Sequence, residues 1–72
     1  MKAEYDTIAN ALYLTIKKGR VAKTIKMHDR LLVDVDKKGD LVGIEILDAR
    51  SQLGSSGKKP LTLNVTIPAI SL

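Results

Sequence analysis

The sequence predicts a mainly β fold: an antiparallel meander of about five strands with one short helical turn, followed by a C-terminal tail strand. Three observations predict it. Nearly everything before residue 48 alternates apolar and polar residues with period two, as a strand with one buried face does. The apolar set is Leu, Ile and Val, with no Phe or Trp and only two Tyr, a composition suited to strands but poor in large core-filling rings. Glycine breaks at Lys18-Gly19 and in "KKGD" separate the alternating runs, where tight turns call for a positive φ.

The elements follow in order. "ALYLTIK" sends Leu12, Leu14 and Ile16 to one side and Ala11, Tyr13 and Thr15 to the other. "VAKTIKM" repeats the pattern with Val21, Ile25 and Met27. A two-residue turn at Lys18-Gly19 joins these runs as a hairpin, with Ile16 opposite Val21 and Leu12 opposite Ile25. The same register sets Leu14 against Lys23, a mismatch that an edge position or a bulge must absorb. In the next hairpin, pairing Asp36 with Leu41 brings Val35 to Val42, Val33 to Ile44 and Leu31 to Ile46, all on one face. Gly39 is then the left-handed residue of the turn.

That hairpin, "DVDKKGDLVGIE", also nearly fits a calcium loop, with acids at the first, third and seventh places and Glu45 at the twelfth. Both flanks alternate as strands rather than helices, and Lys38 sits at the fifth ligand place, where it repels a cation. The register puts Glu45 opposite Leu32, away from the turn. No ion at Asp34, Asp36 and Asp40 is expected.

After Leu47 the pattern changes. "DARSQLG" reads as a short helical turn with Asp48 as N-cap and Gly54 as terminator. Residues 1–53 are therefore taken as the β domain and 54–60 as a Gly/Ser/Lys linker. Residues 61–72 are a tail strand with Leu61, Leu63, Val65 and Ile67 on one face.

A chain of 72 residues buries only about 60% of its unfolded surface, so stability needs a supplement. With no cysteine and one histidine, disulfides, Cys-based zinc sites and His-rich metal sites are excluded. The apolar face of Leu12, Leu14, Ile16, Val21, Ile25, Leu31, Val33, Val35, Val42, Ile44 and Ile46 has no long amphipathic helix to cover it. A homo-oligomer with sheets packed face to face is expected, with the tail strand in the interface. Tyr13, Leu32, Leu41 and Leu47 on the opposite face form a second candidate contact surface.

The formal charge of +4 is uneven. Lys17, Lys18, Arg20, Lys23 and Lys26 form a purely basic stretch, whereas residues 29–48 carry six acids against three bases. The basic stretch is the candidate for nucleic-acid contact, although two tyrosines are few for base stacking. His28, in the connection before the third strand of the sheet's hairpins, is the one general base of the usual kind, and a turn histidine reads as polar surface. No enzyme, cofactor or membrane partner is expected. The N-terminus lacks an apolar signal region, which points to the cytoplasm.

"YDTIANALYLTI" followed by "LLVDVDKKGDLVGIEILDAR" resembles the small prokaryotic proteins known as domain of unknown function 2283. The resemblance covers roughly residues 1–53 and implies a compact, mostly antiparallel β unit with no established activity. Its residues outside the obvious core are Tyr5, Asp6, Asn10, Tyr13, Asp34, Asp36, Gly39, Gly43 and Glu45. Some similar proteins are encoded beside small toxin-like ones, which implies an antitoxin-like, partner-masking role. The tail after Ser55 departs from the pattern.

Overall fold

The computed structural model describes residues 1–54. The linker beyond Gly54 and the tail strand with Leu61, Leu63, Val65 and Ile67 lie outside the described residues. Five strands form one antiparallel sheet: β1 Lys2–Asp6, β2 Ala11–Thr15, β3 Lys23–His28, β4 Leu31–Val35 and β5 Leu41–Leu47, followed by a single helical turn, α1 Ala49–Gln52. The mainly β class is as the sequence predicts.

The strand order is β1-β2-β5-β4-β3. The expected hairpin between "ALYLTIK" and "VAKTIKM" does not form. β2 pairs instead with β5, setting Leu12 against Ile46 and Leu14 against Ile44, and β3 pairs with β4 at the far edge, with Ile25 against Val33. The physical reason is the Leu14–Lys23 mismatch. Leu14 gains an isoleucine neighbour on a central strand, while Lys23, opposite Val35 on the edge strand, keeps its ammonium in water. The four strands β2-β5-β4-β3 are thus a Greek key.

The connection of residues 16–22 must cross the ends of β5 and β4, about 14 Å at the usual strand spacing. It is fixed there by backbone bonds from Ile16 N–H to the Val42 carbonyl (2.8 Å) and from Ala22 N–H to the Val35 carbonyl (2.8 Å). Val42 is buried, and a Cβ on Gly19 would stand 3.7 Å from its side chain. Val21, placed by the sequence in a strand, lies in this connection and is exposed.

The β4–β5 hairpin keeps the predicted pairs Leu31–Ile46, Leu32–Glu45 and Val33–Ile44, and then shifts. Val35 meets Leu41 rather than Val42, so a bulge absorbs one residue. Asp36 organises the turn. Its Oδ1 accepts from the N–H groups of Lys38 (2.9 Å) and Asp40 (3.0 Å), and Gly39 adopts the expected left-handed φ of 84°. The β1–β2 turn is built the same way, with Asp6 Oδ1 accepting from Ile8 and Ala9 N–H.

Cross-strand partners share a face, so Tyr5, Leu12, Ile46 and Leu31 form one apolar row and Ala3, Leu14, Ile44, Val33 and Ile25 the next. Among the described residues, the buried apolar side chains are Leu12, Val42 and Ala49. Leu14, Ile25, Leu31, Val33, Ile44 and Ile46 are only half-buried. The five strands of this part of the chain form one layer, with α1 packed chiefly against β5. No helix among the described residues is long and apolar enough to cross a membrane.

Candidate functional site

On the face opposite the apolar rows, three strands contribute to one chain of hydrogen bonds. Alternation puts Tyr13 of β2, Asp34 of β4 and Thr24 of β3 on this side, with Gly43 of β5 between Thr15 and Asp34. The missing side chain at Gly43 lets the Tyr13 ring lie across β5. Its hydroxyl donates to Asp34 Oδ2 (2.7 Å), while the Thr24 hydroxyl donates to Asp34 Oδ1 (2.6 Å). A Cβ on Gly43 would overlap the ring, lying 2.6 Å from Cζ and closer still to the hydroxyl oxygen. The Tyr13 phenol is held above its ordinary pKa of 10.0, first by its hydrogen bond to Asp34, then by desolvation and by the charges of Asp34 and Glu45. Beside this chain a shallow groove of about 680 Å³ is lined by Glu4, Asp6, Ala11, Tyr13, Glu45 and Leu47, among others.

A second polar cluster closes the end of the sheet where β1 and β5 finish. Asp48 has the predicted place before α1 but makes no capping bond and is left-handed (φ 49°). The cap comes instead from Asn10, also left-handed (φ 52°), across the sheet. Its carbonyl accepts from Ala49 N–H (2.9 Å) and its Oδ1 from Arg50 N–H (3.2 Å). The same Oδ1 accepts from the Tyr5 hydroxyl (2.7 Å), and the amide donates to Asp48 Oδ1 (3.3 Å). Arg30 pairs with Asp48 at 3.1 Å, and the Arg50 guanidinium lies 6.0 Å from the Tyr5 ring centre. Nothing in the spacing of "ANALYL" announces this role, because the N–H groups that Asn10 satisfies are some forty positions away.

The basic stretch does not lie on one hairpin. Lys17, Lys18 and Arg20 belong to the connection, whereas Lys23 and Lys26 are on edge strand β3. Lys17 reaches Asp36 (2.8 Å) and Asp40 (3.6 Å), and Lys26 reaches Asp29 (3.6 Å). Chiefly through its hydrogen bond from Lys17, the Asp36 carboxyl is held below its ordinary pKa. Of the acids of the apparent calcium loop, Asp36 and Asp40 thus share Lys17, whereas Asp34 turns to Tyr13 and Thr24. Of the second contact surface, Tyr13, Leu32 and Leu47 share one side of the sheet. Leu41 is drawn away from them by the bulge that pairs it with Val35.

Residues 2–50 match the family described as "Protein of unknown function (DUF2283)". The chain is also similar to an uncharacterized protein of Methanocaldococcus jannaschii, MJ0789, with 40% identity over 65 residues. The aligned part is 90% of this chain and 54% of that protein, so the chain spans about half the length of the curated relative it matches. No solved structure matches.

Proposed function

We propose, since the chain belongs to DUF2283, a family of proteins of unknown function, that it is a non-enzymatic interaction protein that pairs with a second copy of itself through its apolar sheet face. The observation that carries this reading is that Leu14, Ile25, Leu31, Val33, Ile44 and Ile46 share one face of the sheet and are each only partly buried. At about 1.5–3 kcal/mol per fully buried Leu, Ile or Val, covering the part of these six side chains that is still exposed is worth about 2–5 kcal/mol in all.

Charge favours a second copy, seated face to face. The paired residues of the face are uncharged except for Lys23 at its edge, so two copies stack about 10 Å apart without repulsion at the centre. Both sheet edges carry charges, Lys2, Glu4 and Asp6 on β1 and Lys23 and Lys26 on β3, which disfavour growth by strand addition. The non-enzymatic reading is supported by Tyr13, Thr24 and Asp34 being spent on one another, both Asp34 oxygens included. An antitoxin-like role would use the same face, with a small protein partner replacing the second copy.

The test is solution mass. Ile44 lies between Leu14 and Val33, and a twofold interface presents it twice. Ile44→Lys is expected to reduce a dimer to a monomer while the β-type circular dichroism persists. Val33→Thr, a milder change, is expected to weaken dimerisation by a factor of about 100. A wild-type monomer at about 100 µM, or variants with unchanged association, would contradict the proposal.

A further inference from the structure

The connection 16–22 and the turn 36–40 meet at one end of the sheet, and their meeting concentrates positive charge. Arg20 and Ala22 from the first segment and Asp36, Lys37 and Lys38 from the second line a cleft of about 350 Å³. The one carboxylate there is already engaged. Asp36 Oδ2 accepts from the Lys17 ammonium and Oδ1 from two backbone N–H groups of its own turn. Arg20, Lys37 and Lys38 are exposed and have no carboxylate within 4.0 Å among the described residues, and neither do their chain neighbours Lys18 and Lys23. In the sequence Lys37 and Lys38 fall within an acid-rich stretch; the crossover connection is what brings them to Arg20.

We propose that this cleft binds the phosphodiester backbone of a nucleic-acid duplex, with Arg20, Lys37 and Lys38 as phosphate contacts. The guanidinium fork of Arg20 suits bidentate contact with a phosphate, and the lysines add point charges on either side. A single strand is a poorer fit, because stacking needs free aromatic faces near the cations. The two tyrosines are elsewhere, Tyr5 bonded to Asn10 at the far end of the sheet and Tyr13 bonded to Asp34. A recess between two loops receives a ridge of phosphates better than the flat surface of an anionic membrane. With all three cations engaged on phosphates rather than base edges, the expected binding is sequence-independent.

The test is fluorescence anisotropy with labelled duplex DNA and duplex RNA of one sequence, from about 50 to 200 mM KCl. The expected result is binding of either duplex at low salt, with log K falling against log salt with a slope of about −3 for three phosphate contacts per cleft. Serine at all three of Arg20, Lys37 and Lys38 should flatten that slope and cost at least ~10-fold in affinity at low salt. Lys2→Ser with Lys26→Ser, on the sheet itself, should leave affinity within about two-fold. Unchanged circular dichroism certifies the triple variant, and Arg20→Ser alone should lower the slope by about one. No binding of either duplex at low salt, equal binding by the triple variant, or stronger capture by phosphatidylserine vesicles than by duplex would overturn the proposal.

Discussion

Gly43→Ala is expected to destabilise the fold by about 2 kcal/mol, a large loss for a chain this short. Alanine normally suits a strand interior better than glycine by roughly 0.5–1 kcal/mol, so the sign itself is informative. The new Cβ would occupy the space of the Tyr13 ring. The ring must then swing off β5, giving up its 2.7 Å bond to Asp34. The lost hydrogen bond costs about 1 kcal/mol and the displaced packing about 1–3 kcal/mol. At a fixed protein concentration, the melting temperature should fall by about 10 °C. The Tyr13 titration should also return toward 10.0, since the bond to Asp34 is the main cause of its elevation. Removing the ring identifies the mechanism: in a Tyr13→Ala background, Gly43→Ala should cost almost nothing. A penalty of the same size in both backgrounds would mean that the backbone at Gly43, and not the tyrosine above it, sets the cost.

Asn10→Ala should cost about 2–3 kcal/mol, and Asn10→Gly about 1 kcal/mol. Two contributions separate in this pair. Asn10 holds a left-handed φ of 52°, which alanine resists and glycine accepts. Either substitution removes the side-chain oxygen that receives Arg50 N–H and the Tyr5 hydroxyl. Ala49, buried under the first turn of α1, depends on that cap for its position. Amide exchange at Ala49 and Arg50 should accelerate more in Asn10→Ala than in Asn10→Gly. Equal losses for the two variants would show that backbone conformation at Asn10 carries no cost.

Period-two alternation made the strands and most of the β4–β5 register legible, because a one-residue slip would turn every Leu, Ile and Val to the wrong side. The bulge at Val35 escaped it. A run in which Leu41 and Val42 are both apolar offers two acceptable partners, and pattern alone does not choose between them. The partner of β2 is not legible from the pattern, because a glycine turn argues for pairing neighbours in sequence. The contrary signal was the conflict between Leu14 and Lys23. Resolving it required a partner some thirty residues away, in β5. The polar site was legible only in fragments. Gly43 opposite Asp34 could be read from the register, but the Tyr13 ring crossing the gap depends on a side-chain direction. Asn10 and the Arg20–Lys38 cleft owe their meaning to contacts between distant segments, which local periodicity does not encode.

On the proposed reading, the apolar face of the sheet is sufficient to join two copies of this chain. Light scattering on the full chain and on a version ending at Ser55, at equal concentration, decides it. The expected result is a dimer in both cases, because Leu14, Val33 and Ile44 remain in the shorter protein. A dimeric full chain with a monomeric shorter one would move the contact to residues 56–72 and contradict the claim. Two monomers would contradict it as well.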